Sequence, residues 1–240
     1  IPGFGEKSEQ KMKEAIEMYE KTTVAERKPL AYCWDYINNI VNKLRSSGLF
    51  ERVEIAGSTR RMKETIGDVD ILGISDNPKA MDFFVSLPEV KQVIVKGETK
   101  TTVLLDLGLT CDLRVLDRNS FGAALQYFTG SKEHNIKVRK YAQDKGYKLS
   151  EYGLFKDDQM IAGKTEEEVY NALGMDWIPP ELREDMGEVE AALEHKLPKL
   201  VEYNEVIGDL HTHTKDSDGS NSLEEMVEAA IKRGLKYIAI

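Results

Sequence analysis

Cysteine is nearly absent. Cys33 and Cys111 are the only two in 240 residues, too few for a disulfide framework, and that scarcity favours a reducing, cytoplasmic setting. Long apolar runs are missing too: none reaches the length of a membrane span, and no charged-then-apolar leader opens the chain, so no membrane partner is expected. There is no excess of positive charge. With 33 Lys and Arg against 42 Asp and Glu, the formal net charge is −9, which argues against coating a polyanion by bulk electrostatics. It leaves open a grip made by a few placed cations and backbone amides. What is present is 41% hydrophobic and 31% charged residues, a balance that argues against disorder. The length suits one large domain or two to three small ones.

Periodicity predicts an α+β protein. Ser8 can cap a helix carrying Met12, Ile16 and Tyr19, and Pro29 can open a second with Tyr36, Ile37, Ile40, Val41 and Leu44 on one face, closed by Gly48. The period then changes to strand at 53–55 and 69–74. A helix over 78–86 leads to strands at 90–96, 101–107 and 111–116. That order suggests a mixed sheet with helices on one face. Helices return over 119–198 with a short hairpin around 149–160. A strand at 204–210, an amphipathic helix at 223–233 and an apolar run at 235–240 read as the opening of another domain.

The chemistry-bearing residues cluster in four places. Gly57-Ser58-Thr59-Arg60-Arg61 follows a strand and opens a helix. Free backbone N–H groups, a hydroxyl and Arg61 make that turn a candidate phosphate cradle. Just beyond stand Gly67-Asp68-Val69-Asp70, whose two carboxylates alternate onto one strand face. Like charges so placed repel unless a divalent cation joins them, and oxygen ligands suit Mg²⁺ or Mn²⁺. Asp112 sits among apolar neighbours on a third strand, where a charge is costly unless paired or metal-bound. The plainer alternatives are edge-strand polar residues for Asp68 and Asp70, and a salt bridge to Arg114 for Asp112. Three carboxylates beside a triphosphate cradle would suit two-metal phosphoryl transfer.

Gly57-Ser58 with Asp68-Val69-Asp70 and a later Asp112 resembles the palm of the nucleotidyltransferase superfamily. Tyr127-Phe128-Thr129-Gly130-Ser131, with Asn135 and Arg139 beyond, resembles the sugar- and base-contacting segment of family X DNA polymerases, in particular their bacterial and archaeal branch. Ile1-Pro2-Gly3-Phe4-Gly5-Glu6-Lys7 resembles a helix-hairpin-helix turn that holds a DNA backbone. Asp209-Leu210-His211-Thr212-His213, followed by Asp218, resembles the first metal-binding segment of a PHP (polymerase and histidinol phosphatase) domain.

The resemblance implies a helix-hairpin-helix subdomain (1–48), a nucleotidyltransferase palm (49–118), a helical nucleotide-binding subdomain (119–199), a linker (200–204) and an incomplete PHP domain (205–240). It implies template-directed addition of deoxynucleotides to a primer 3′-hydroxyl, in short-gap repair. Asp68, Asp70 and Asp112 would hold two Mg²⁺ or Mn²⁺ ions, with Asp112 nearest the primer terminus. Gly57, Ser58, Arg61 and Gly67 would clamp the triphosphate. Tyr127, Phe128 and Gly130 would hold the sugar, Asn135 the base edge and Arg139 the template, while Arg114 positions or competes for Asp112. Gly3, Gly5 and Lys7 would grip DNA, with a monovalent cation at their turn. His211, His213 and Asp218 would bind Zn²⁺ or Mn²⁺ in an intact PHP domain. The expected partners are gapped or primer-template DNA and deoxynucleoside triphosphates, met by a monomer. The chain opens inside a turn motif and stops on an apolar strand, so a 5′-holding N-terminal domain is expected to be missing and the PHP site to lack partners. His134 reads as a nearby polar contact and His195 as solvated. Two rivals share part of the pattern: a non-templated or RNA-directed nucleotidyltransferase, and an inert DNA-binding scaffold that retains the palm.

Overall fold

The structure is a computed structural model that describes Gly5 and residues 27–240. The helix expected after Ser8, and Gly3 and Lys7 of the turn motif, lie outside the described residues. Gly5 is exposed, with open space around it. The chain divides into two compact units, Ile1–Leu197 and Pro198–Ile240.

In the first unit β1 (Lys28–Pro29) leads into α1 (Leu30–Ser46). Leu30, Cys33, Ile37, Ile40, Val41 and Leu44 recur at helical spacing and are buried. Lys43 and Arg45 in the last turn complement its negative end. Next come β2 (Arg52–Ile55), the single turn α2 (Gly57–Arg60), β3 (Thr65–Ile66) and β4 (Asp68–Ile74). Then follow α3 (Ala80–Val85), β5 (Val90–Lys96), β6 (Lys100–Leu105) and β7 (Thr110–Val115). The five-stranded sheet runs β2-β4-β7-β6-β5, and β4–β7 is its parallel pair. Strand alternation sorts the faces. Val69, Ile71, Val103, Leu105, Cys111 and Leu113 pack in one core with α1 and α3, leaving Asp68, Asp70, Leu72 and Ile74 on the other face.

That second face receives α4 (Phe121–Thr129), whose Phe121 and Leu125 pack on Leu72, Ile74 and Ala56. Then come α5 (Lys132–Asp144), the strands β8 (Lys148–Ser150), β9 (Gly153–Lys156) and β10 (Gln159–Ala162), α6 (Glu166–Ala172) and α7 (Glu188–Leu193). They close a separate core around Val138, Leu154, Val169, Tyr170 and Ile178. Side chains cap two of these helices: the Ser131 hydroxyl accepts from His134 N–H at 3.2 Å, and that of Thr165 from Glu168 N–H at 3.1 Å. α4 crosses the start of α6 so closely that a Cβ on Gly122 would lie 2.1 Å from the Thr165 backbone. The hairpin expected near 149–160 is a three-stranded meander. Asp157 and Asp158, at φ 47° and 63°, form a two-residue turn between paired Lys156 and Gln159, of a kind more often signalled by Asn-Gly or Asp-Gly.

In the second unit, β11 (Gly208–Asp209) pairs in parallel with β12 (Tyr237–Ile238) across α8 (Leu223–Lys232). Ser222 and Glu225 form a capping box at the start of α8. The strand expected over 204–210 is shorter, because Tyr203–Glu205 winds into a 3₁₀ turn. Among residues 198–240 no apolar side chain is buried. No helix of the described residues is long and apolar enough to cross a membrane.

Candidate active site

Parallel pairing of β4 with β7 sets Asp70 beside Asp112, and Asp68 projects from the same face one pleat away. Gly57 is what lets the chain turn against Asp70. Its φ is +62°, and a Cβ there would lie 2.3 Å from Asp70 Oδ2. Ala56 N–H donates to the Asp70 carbonyl at 2.8 Å, tying the turn to β4. Burial, with the charges of Asp68 and Asp112 adding to it, pushes the Asp70 carboxyl up to about 6 against the opposing pull of Arg114 and Lys100. Asp112 is held from β6: Thr102 Oγ1 donates to its Oδ1 at 2.5 Å and Lys100 Nζ lies 2.7 Å from Oδ2. Arg114 is farther, at 3.7 Å. Among the described residues no three His, Cys, Asp or Glu side chains stand close enough together to hold a metal ion. The three aspartates share a face of the sheet, and Asp112 is engaged there by Lys100 and Thr102.

A cavity of 470 Å³ opens beside them. It brings together Gly57, Ser58, Arg61, Asp68 and Asp70 with Tyr127, Phe128, Gly130, Asn135 and Arg139. Arg27, Lys63 and Lys132 also line it, three cations that motif reading missed because they lie outside the Gly-Ser and Tyr-Phe segments. Asp112 and Arg114 are not in its lining. Gly67 is adjacent, with space for a Cβ 3.5 Å from Arg27 Nη1.

Two consecutive arginines on the α2 turn join the sheet to the helical subdomain. Arg60 makes a two-pronged pair with Glu166, at 2.8 and 2.7 Å, and donates to Thr129 Oγ1 at 2.7 Å. Glu166 is buried and also accepts from Arg183 Nη1 at 2.6 Å and Trp177 Nε1 at 3.1 Å. Burial alone would raise its carboxyl, but the hydrogen bonds and charges of Arg60 and Arg183 hold it at about 2. Arg61 donates through Nε to Glu184 at 2.8 Å and through Nη1 to the Thr129 carbonyl. The expected phosphate ligand thus already has a carboxylate partner.

The aromatic segment ends α4. Tyr127 and Phe128 meet edge to face at 5.1 Å, Arg114 lies 4.5 Å over the Phe128 ring and Arg139 6.0 Å from the Tyr127 ring. Gly130 takes φ +73° against Arg61, where a Cβ would meet Nη1 at 3.0 Å. Asn135 is mostly buried; its amide donates to the Tyr127 carbonyl at 2.7 Å, and its Oδ1 accepts from Gln126 at 2.7 Å. His134 is fully buried between Glu188 and Tyr170, at 2.7 and 2.9 Å. Exposed His195 pairs with Asp176 at 2.7 Å. In the second unit His213 Nδ1 lies 2.7 Å from Asp218 and 5.0 Å separates the His211 and His213 rings. His211 N–H donates to Asp209 Oδ1 at 3.1 Å.

Comparison with known proteins bears on this arrangement. The family described as DNA polymerase beta thumb matches residues 124–184. Repair DNA polymerase X of African swine fever virus (isolate Pig/Kenya/KEN-50/1950) is 30% identical over 164 residues, covering 60% of this chain and 94% of the viral protein. The chain belongs to the family X DNA polymerases. A second member of family X, the DNA polymerase/3′-5′ exonuclease PolX of Bacillus subtilis (strain 168), is 37% identical over 245 aligned positions, and these span 100% of this chain but 42% of that relative. The solved ternary P/T complex of Leishmania infantum polymerase beta superposes with a TM-score of 0.61 at 23% identity, covering 77% of this chain and 84% of that one. It supports the palm-type fold read from the sequence. Family X enzymes use divalent metal ions.

Proposed function

We propose that this chain is a template-directed DNA polymerase, adding deoxynucleotides to a primer 3′-hydroxyl and filling short gaps in damaged DNA. The observation that carries the reading is the in-register Asp70–Asp112 pair, with Asp68, beside a cavity lined by Gly57, Ser58, Tyr127 and Gly130. The names of its relatives, repair DNA polymerase X and DNA polymerase/3′-5′ exonuclease PolX, support it.

The donor set suits a hard cation in its chemistry: carboxylate oxygens alone, on one face, with Asp70 made reluctant to ionise by burial and by the like charges of Asp68 and Asp112. Asp68, Asp70 and Asp112 would hold Mg²⁺ or Mn²⁺, and Asp112 would exchange Lys100 for it. Held by these carboxylates, divalent ions would supply charge stabilisation to a phosphoryl displacement. The chain's own groups do the rest. Ser58 and the backbone N–H groups of the α2 turn receive the triphosphate, with Arg61 and Gly67 beside them. Tyr127, Phe128 and Gly130 fit the sugar, with Phe128 held flat under Arg114. Asn135 presents its remaining amide hydrogen to the base edge, and Arg139 reaches the template. Gly3, Gly5 and Lys7 would grip the DNA backbone with a monovalent ion. The proposed subdomains are 1–48, 49–118 and 119–199, then a linker at 200–204. Residues 205–240 would open a PHP domain in which His211, His213 and Asp218 serve Zn²⁺ or Mn²⁺.

Primer extension on a one-nucleotide gap tests the proposal. Incorporation should follow the template base, require a divalent ion and vanish in Asp70→Ala, with duplex binding retained. Incorporation that ignores the template would point to a non-templated transferase; none at all in wild type would leave a DNA-binding scaffold.

A further inference from the structure

The 470 Å³ cavity beside the aspartates has a smaller neighbour of 330 Å³. The two share three lining residues, Arg27, Arg61 and Lys63, and all three are cations. None of Tyr127, Phe128, Gly130 and Asn135 lines the smaller cavity, which places it beyond the shared cations as seen from the aromatic wall. Its remaining charged lining is acidic: Glu64, Glu181 and Glu184. An anion arriving from the aspartate side therefore meets positive charge first and carboxylates after, and is held at the boundary.

The three cations are not equally occupied. Arg27 donates through Nε to Thr65 Oγ1 at 3.0 Å and through Nη2 to the Thr65 carbonyl. Arg61 is engaged by Glu184 and the Thr129 carbonyl. Among the described residues the one ion pair of Lys63 is with Glu184 Oε1 at 3.5 Å, the same atom that accepts from Arg61 at 2.8 Å. The Lys63 side chain is 44% exposed, and its ammonium can turn three donors toward a ligand. The backbone fixes where that side chain starts. Lys63 N–H donates to the Ser58 carbonyl at 3.1 Å, and Met62 N–H to that of Thr59 at 3.2 Å. Met62 takes φ +56°, a left-handed conformation uncommon without glycine, and the chain folds back on the α2 turn. Lys63 is thereby tied to the serine proposed to receive the triphosphate.

We infer that Lys63 is a substrate-binding residue for the phosphates farthest from the sugar of the incoming nucleotide, and that it favours triphosphates over shorter nucleotides. The inference rests on the proposed polymerase reading for its substrate, but it has a readout that needs no turnover. With the sugar against Tyr127 and Gly130 and the first phosphate beside Asp68 and Asp70, the remaining phosphates run along the α2 turn to the boundary where Lys63 stands. There the ammonium exchanges a distant, shared carboxylate oxygen for a phosphate oxygen, acting as a point charge.

Lys63→Ala is expected to raise the KM for the incoming deoxynucleoside triphosphate roughly three- to tenfold, the worth of one half-exposed charged contact, with kcat within about twofold. Lys63→Arg, which keeps the charge, should return KM to near wild type. Lys156→Ala removes an exposed lysine at the end of β9 and should leave KM unchanged, which separates a local contact from net charge. Without DNA, the dissociation constant of inorganic tripolyphosphate, measured by titration calorimetry, should rise in Lys63→Ala by a similar factor. A folded Lys63→Ala protein with wild-type KM overturns the inference, as does a Lys63→Arg variant no better than Lys63→Ala, or an equal loss in Lys156→Ala. Should Lys63→Ala fail to fold, Lys63→Gln decides. If wild type incorporates nothing, the polymerase proposal fails and tripolyphosphate alone judges Lys63: weaker binding in Lys63→Ala supports its role, while equal binding, or none by wild type, refutes it.

Discussion

Replacing Glu166 by Gln should be among the most costly single changes in the helical subdomain, with a characteristic pH signature. Glu166 is 4% exposed and joins Arg60 and Arg183 while accepting from Trp177. Arg183 is wholly buried, and among the described residues its Nη2 has no hydrogen-bond partner. Removing the carboxylate charge would leave two guanidinium groups uncompensated, a loss of roughly 3–5 kcal/mol at pH 7 for a broken buried pair. The pKa supports that scale. Held at about 2 against its ordinary 4.5, the carboxyl contributes roughly 3 kcal/mol through proton linkage. The sign follows from the lowered value: this stability is present above pH 4.5 and disappears as pH falls through 2. Urea unfolding of wild type and Glu166→Gln, followed by Trp177 fluorescence, should therefore show a gap that is widest near pH 7 and closes between pH 4.5 and 2. A gap under about 1 kcal/mol at pH 7, or one that stays constant into acid, would refute the account of Glu166 as a charged keystone.

Gly57→Ala should abolish incorporation and cost at least about 1 kcal/mol in stability, since the new methyl meets Asp70 Oδ2 and φ is positive; primer extension with thermal melting checks both. Lys100→Ala frees Asp112 of its closest cation and is expected to lower the divalent-ion concentration needed for half-maximal rate by roughly three- to tenfold; an unchanged or weaker metal requirement would count against that pairing. Glu184→Gln removes the carboxylate on Arg61 and should tighten nucleotide binding by about two- to fivefold, measured as KM. Arg60→Lys should lose the two-pronged contact to Glu166 and about 1–2 kcal/mol of unfolding free energy.

Much of the fold was legible because its signals are periodic. The apolar face of α1, the alternation in β4 and the change of period after residue 50 all follow from which side chains must be buried. Other features depended on information that no local pattern carries. The meander turn is Asp157-Asp158, without glycine, so only the backbone shows it reversing. In the candidate site, Asp68 and Asp70 declare a shared face by spacing, whereas Asp112 joins that face through strand register, a long-range fact. Lys100 and Thr102 could not be read as its partners before β6 was paired with β7. Glu166 begins an acidic helix turn and looks like an ordinary surface residue until Arg183 and Arg60 close on it. His134 was read as a minor polar neighbour; it is a buried link between Glu188 and Tyr170.

Arg61 reaches from the α2 turn to both Thr129 and Glu184, so the space next to it is not an empty anion hole awaiting a guest. An arriving phosphate would compete with a resident side chain of the same charge. If Arg61 receives the triphosphate as proposed, entry of the ligand and loss of the Arg61–Glu184 pair become a single exchange, and the strength of that ion pair sets how readily the cavity is entered.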